Sequence, residues 1–182
     1  MPNSGLNDRA RADFFRLGMH YYIVGRFATL TGLFPMAGNL LHHAIEMFLK
    51  GALVRVIGLD ALRTIGHDLN RLWQAFKSHF PFAEAASFDK PIAEMHRFER
   101  LRYPDVAIRE GMEATLAIFR EHSIETPGSG ESPPRYLLVL EDFDALVKVV
   151  FGKAAVNPQF YLQSLRADAK DFLSRQNIHR LE

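Results

Sequence analysis

Between residues 35 and 57 the chain places Leu41, Ala44, Ile45, Phe48, Leu49, Ala52 and Val56 on one helical face. An apolar stripe this long is satisfied only by burial, so it requires a central helix with other elements packed around it. The neighbouring segments show the same periodicity. Residues from about Asn7 to Leu30 set Phe14, Leu17, Tyr21 and Ala28 at helical spacing, with Asn7 or Asp8 available as a cap. Gly18, Gly25 and Gly32 recur every seven residues, and the first two would let a second helix approach closely. Gly32 and Pro35 then separate the first helix from the second.

A third helix is expected from His67 or Asp68, burying Leu69, Leu72, Trp73 and Phe76, with Pro81 helping to end it. A fourth starts at Asp89 or Lys90 and must stop before Pro104, which disfavours helical geometry at Tyr103. Beyond it, "EATLAIF" and "RYLLVL" have the alternating, β-branched and aromatic character of short strands, flanking the loop "SIETPGSGESPP". An antiparallel hairpin over about residues 111 to 140 is the expectation, with a helix as the competing assignment for the first segment. "EDFDALVKVVFG" reads as a helix ended by Gly152, and "NPQFYLQSLRADAKDFLSRQ" as a last helix with Asn157 at the cap and Pro158 at its first position. The expected fold is therefore mainly α: an up-and-down bundle of about five main helices with an inserted β-hairpin, forming one domain over residues 1 to 182.

Charge restricts the function classes. The chain has 22 Lys and Arg against 21 Asp and Glu, so no global field draws it to nucleic acid or an anionic membrane, and any basic site is local. The absence of cysteine excludes disulfides, zinc ribbons and thiol nucleophiles. "YYIVGRFATLTGLF" contains Arg26 and is too short to span a membrane. A soluble, cytoplasmic protein with no membrane association is expected. No phosphate loop, dinucleotide fingerprint or serine nucleophile elbow occurs.

"NLLHHAIEMFLKGAL", followed about twenty residues later by "GHDLNRLW" and then by "RLRYPD", resembles the HEPN superfamily (higher eukaryotes and prokaryotes nucleotide-binding). The resemblance covers roughly residues 10 to 105 and the final helices; the hairpin departs from the minimal all-helical form. It implies a helical bundle, frequent homodimers, and roles in RNA cleavage, nucleotide binding, or as accessory subunits beside small nucleotidyltransferases. Catalytic members carry an arginine, four to six residues, then a histidine. Here Arg16 and His20, Arg63 and His67, and Arg175 and His179 each enclose only three residues, the spacing of a helix face. The resemblance thus implies a noncatalytic nucleotide- or RNA-binding protein, a homodimer or nucleotidyltransferase partner in a prokaryotic stress, defence or toxin-antitoxin system. A ribonuclease with a rearranged site and a helical scaffold without a small ligand remain as alternatives.

His42, Glu46 and Lys50 form an i, i+4 ladder along the margin of the second helix's apolar face, with His43 pointing further out. As an exposed salt bridge, Glu46 and Lys50 would contribute about 0.3 to 0.5 kcal/mol. The resemblance implies more: convergence of Glu46, Lys50, His67, Asp68, Arg102 and Tyr103 into one ligand-binding cluster. If its helix continues, Arg102 lies on the side of Met95 and Phe98, where Glu46 or Asp68 would pair with it and a phosphate could compete for the same fork. His42, His43 and Glu46 also suggest a metal, but a di-iron bundle draws carboxylates from several helices, so neither a metal nor any other cofactor is expected. His96, Arg97 and Arg100 in "HRFERLR" read as a solvated charged face diluted by Glu94 and Glu99 rather than a nucleic-acid track.

Overall fold

The computed structural model describes residues 4 to 34, 36 to 122 and 135 to 181. Helices α1 (Ser4–Leu30) and α2 (Met36–Ile65) form a long hairpin with the most extensive packing between any two elements among the described residues. Its closeness depends on Gly18 and Gly25, where a Cβ would fall 2.7 Å from the Phe48 ring and 2.6 Å from Leu41. These glycines therefore serve contact within the chain, not an outer surface for a second copy. The expected end of the second helix at Ile57 falls beside Gly58, whose φ of 79° breaks the helical path before α2 resumes. Pro35, expected to open that helix, lies outside the described residues.

Asp68 caps α3 (Leu69–His79) by accepting from Arg71 N at 3.0 Å. A 3-10 turn (Ala83–Phe88) leads into α4 (Asp89–Arg97), which tightens into a second 3-10 segment at Phe98–Arg102. That tightening corrects the expected position of Arg102. Four residues advance about 400° in an α-helix but about 480° in a 3-10 helix, so Arg102 turns away from Phe98 while Leu101 eclipses it. Leu101 is buried and Arg102 exposed. A short α5 (Pro104–Glu110) follows.

Strands β1 (Glu113–Ala117) and β2 (Arg135–Val139) occur where expected but pair in parallel, from Glu113 opposite Arg135 to Ala117 opposite Val139. The antiparallel assignment assumed a tight hairpin, whereas residues 118 to 134 give a connection long enough for a crossover. Most of it, the loop at 123 to 134, lies outside the described residues. Tyr136 and Leu138 are buried toward α4. Helix α6 (Leu140–Lys153) runs one residue past Gly152. The expected last helix is divided into α7 (Gln159–Leu162) and α8 (Ala167–Ser174), with Asn157 Oδ1 accepting from Gln159 N at 2.9 Å. The division lets Tyr161 reach Phe15 near the middle of α1 while Phe172 packs edge-on against Phe27 near its C-terminal end. The molecule is thus mainly helical with a small two-stranded sheet, and among the described residues no helix is long and apolar enough to cross a membrane.

The core is continuous around Phe15, Phe48, Trp73, Phe76, Phe98 and Phe151. Through it passes a polar network that the sequence reading did not identify. Arg26 and Asp144, both essentially unexposed, form an ion pair; Tyr22 Oη donates to the same carboxylate, and Arg26 Nε donates to Phe172 O at 2.7 Å. Arg26 thereby ties α1 to α6 and α8.

Candidate functional site

The polar margin of α2 is mostly inside the protein. Glu46 is fully buried, His42 is 1% exposed and Lys50 is 9% exposed, because α1, α3, α4 and α6 all pack against the helix. Glu46 Oε1 accepts from Lys50 Nζ at 2.6 Å and from His67 Nδ1 at 2.8 Å. Burial pushes the Glu46 carboxyl up, but the close approach of the His43 ring and the bond from Lys50, with the charges of Lys50 and His67, outweigh it and hold the group at about 2. Glu46 is a buried anion. Since an ionised carboxylate only accepts, His67 Nδ1 carries a proton in this contact, and the side chain is 60% exposed.

The second oxygen has weaker partners. His43 Nδ1 lies 3.5 Å from Glu46 Oε2 and His42 Nε2 lies 3.9 Å from it, and neither contact has the geometry of a hydrogen bond. His42 Nδ1 donates to Met95 O at 3.2 Å, which leaves the lone pair on the unpartnered Nε2. Desolvation holds the His42 pKa below its ordinary value, against the opposing effects of the Met95 bond and Glu46, so the ring is neutral at neutral pH. His96 stacks on His42 with ring centroids 6.2 Å apart, and its Nδ1 is buried without a partner. Its place is half-buried, not on the exposed side of the fourth helix as expected.

The six residues expected to converge do so only in part. Glu46, Lys50 and His67 meet. Arg102 joins through a different neighbour: its Nη2 donates to His43 Nε2 at 3.2 Å, and neither Glu46 nor Asp68 pairs with it. Asp68 uses its carboxylate to cap α3, and Tyr103 is 66% exposed. The sequence reading set His43 aside as outward-facing, yet it links Arg102 to Glu46, and the Tyr21 ring covers it at 5.4 Å. Its position three residues before Glu46 was the available signal.

Beyond Lys50 the margin opens into a cleft of about 410 Å³ lined by Phe14, Lys50, Leu59, Leu62, Arg63 and His67. It combines cations with an apolar floor. By contrast, the charges of "HRFERLR" are largely matched: Arg97 pairs with Glu94 at 3.1 Å and lies over the Tyr136 ring, while Arg100 pairs with Glu110 at 3.0 Å. Comparison with known proteins adds no relative, since no family model matches the chain and neither a curated protein nor a solved structure matches it significantly.

Proposed function

We propose that this is a noncatalytic HEPN-like protein that binds a nucleotide or RNA through its phosphates along the margin of α2. The observation that carries the reading is the state of Arg102. Among the described residues its guanidinium has a neutral-capable imidazole as partner and no carboxylate, so its remaining donors suit a phosphate fork. Lys50 stands seven residues beyond His43, about 10 Å along the helix, and opens onto the cleft with His67 and Arg63. That span fits a phosphate at one end and an apolar base against Phe14 at the other. The missing Arg-x4-6-His spacing supports binding without cleavage.

The homodimer and the nucleotidyltransferase partner in a prokaryotic stress or defence system belong to the same proposal, resting on the resemblance alone. Light scattering tests the first, and a mass matching the 20.7 kDa chain at tens of micromolar would remove it. Calorimetry with nucleotides and short RNAs tests the binding reading: wild type binds, and Arg102→Ala binds more weakly by about 1.5 to 3 kcal/mol. Equal binding by the two proteins, or none by wild type, would leave the helical scaffold as the better account.

One observation favours a second reading, a ribonuclease with a rearranged site. Glu46 orients His67 through Nδ1 and leaves Nε2 as an exposed base beside Lys50. RNA cleavage in chelator that follows wild type through purification and disappears in His67→Ala would select this reading over the first.

A further inference from the structure

Two buried acceptors face one another beside α4. The Met95 carbonyl takes the Nδ1 proton of His42, so His42 Nε2 and Glu46 Oε2 present lone pairs to each other across 3.9 Å, both without a hydrogen-bond partner. Such an arrangement is unfavourable unless a proton donor or a cation lies between the two atoms, and a cation satisfies both lone pairs at once. A third donor borders the same space, His43 Nδ1, 3.5 Å from that carboxylate oxygen, and one ligand atom from each of the three side chains lies within 4.8 Å of the others.

We propose that His42, His43 and Glu46 bind one divalent first-row transition-metal ion. Metal to nitrogen and oxygen bonds of about 2.0 to 2.2 Å at a tetrahedral centre set donors about 3.3 to 3.6 Å apart. His43 Nδ1 already meets this with Glu46 Oε2, whereas His42 Nε2 must close on it by about 0.4 Å and the two imidazoles on each other by at most about 1.4 Å. The hydrogen bond from His42 to Met95 O is the outer contact that fixes the tautomer and orientation of a metal-ligating imidazole. Lys50 and His67 occupy Glu46 Oε1, so the carboxylate ligates through Oε2 alone. Two imidazoles with one carboxylate favour zinc, iron(II), cobalt(II) or nickel(II) over magnesium or calcium, and leave a coordination position for water.

Loading also moves Arg102. A guanidinium only donates, so its contact at His43 Nε2 requires the proton on Nδ1. A metal at Nδ1 places the proton on Nε2, where it opposes Arg102, and the exposed guanidinium is released to solvent. The metal site and Arg102 therefore compete for one histidine tautomer.

The test uses full-length protein without a histidine tag, stripped with chelator and titrated with Zn²⁺ alone, with Co²⁺ absorption reporting coordination. Wild type takes up one equivalent of Zn²⁺, and bound Co²⁺ gives visible bands of low-symmetry coordination. His43→Ala, at a half-buried position, lowers affinity at least tenfold, while Arg102→Ala retains or strengthens it and His67→Ala retains it. Circular dichroism establishes folding; if His42→Ala unfolds, His43→Ala and Glu46→Gln decide. The proposal is overturned if wild type takes up no stoichiometric metal, if Mg²⁺ displaces Zn²⁺ at equal concentration, or if binding survives His43→Ala and is lost in His67→Ala.

Discussion

Arg102 and His43, fifty-nine positions apart, join the 3-10 end of the fourth helix to the first third of α2 through one 3.2 Å contact. Because the guanidinium is exposed, that contact positions a side chain more than it holds the fold together. Arg102→Ala is expected to change unfolding free energy by no more than about 0.5 kcal/mol, as for an ordinary surface substitution. Urea denaturation checks this beside the binding measurement. A loss above about 2 kcal/mol would identify a structural anchor and make any accompanying loss of affinity uninformative.

Glu46 behaves differently, since its carboxylate is fully buried. Replacing it with Gln leaves the ammonium of Lys50, 9% exposed, without its anion. Glu46→Gln is expected to destabilise the metal-free protein by about 3 kcal/mol, the cost of breaking a buried pair. The same i, i+4 pair on a surface is worth about 0.3 to 0.5 kcal/mol, so denaturation in chelator separates the two situations.

That contrast marks how far the sequence could be read. Periodicity revealed the helices and the apolar face of α2, because both follow from local spacing. It placed Glu46 and Lys50 together for the same reason. It misplaced Arg102, because the change from α to 3-10 geometry at Phe98, whose ring packs against Phe34 and Tyr136, leaves no mark in the local periodicity. The parallel pairing of β1 with β2 was hidden because alternation specifies a strand's faces but not its partner's direction. His42 and His96 were undervalued because their orphan nitrogens appear only when α2 and α4 are brought together.

The Arg26 and Asp144 pair lies 118 positions apart in sequence and fully in the core. Burial raises the Asp144 carboxyl above its ordinary value despite Arg26 and the Tyr22 hydroxyl, a sign that desolvation outweighs pairing. Arg26→Met is expected to cost about 3 to 5 kcal/mol by stranding the carboxylate, and adding Asp144→Leu should restore much of the loss. Thermal and urea unfolding of the single and double variants measure both. A double variant no more stable than Arg26→Met alone would show that the bonds from Arg26 to Phe172 O and Arg175 O matter more than the charge pair.

The single tryptophan supplies a direct pH probe. Trp73 Nε1 donates to Asp89 Oδ1 at 2.7 Å, and Lys77 Nζ donates to the same oxygen at 2.6 Å. These bonds, Lys77 first and Trp73 second, hold the Asp89 carboxyl below its ordinary 3.8. A depressed carboxylate contributes stability that is present above the ordinary value and is lost as pH falls through the lower, folded value. Trp73 fluorescence, followed while circular dichroism still reports folded protein, is expected to change with a midpoint below 3.8. Asp89→Asn should abolish that transition and flatten the dependence of stability on pH in the same acid range. A wild-type midpoint at or above the ordinary value, or an unchanged transition in Asp89→Asn, would show that another carboxylate controls the indole environment.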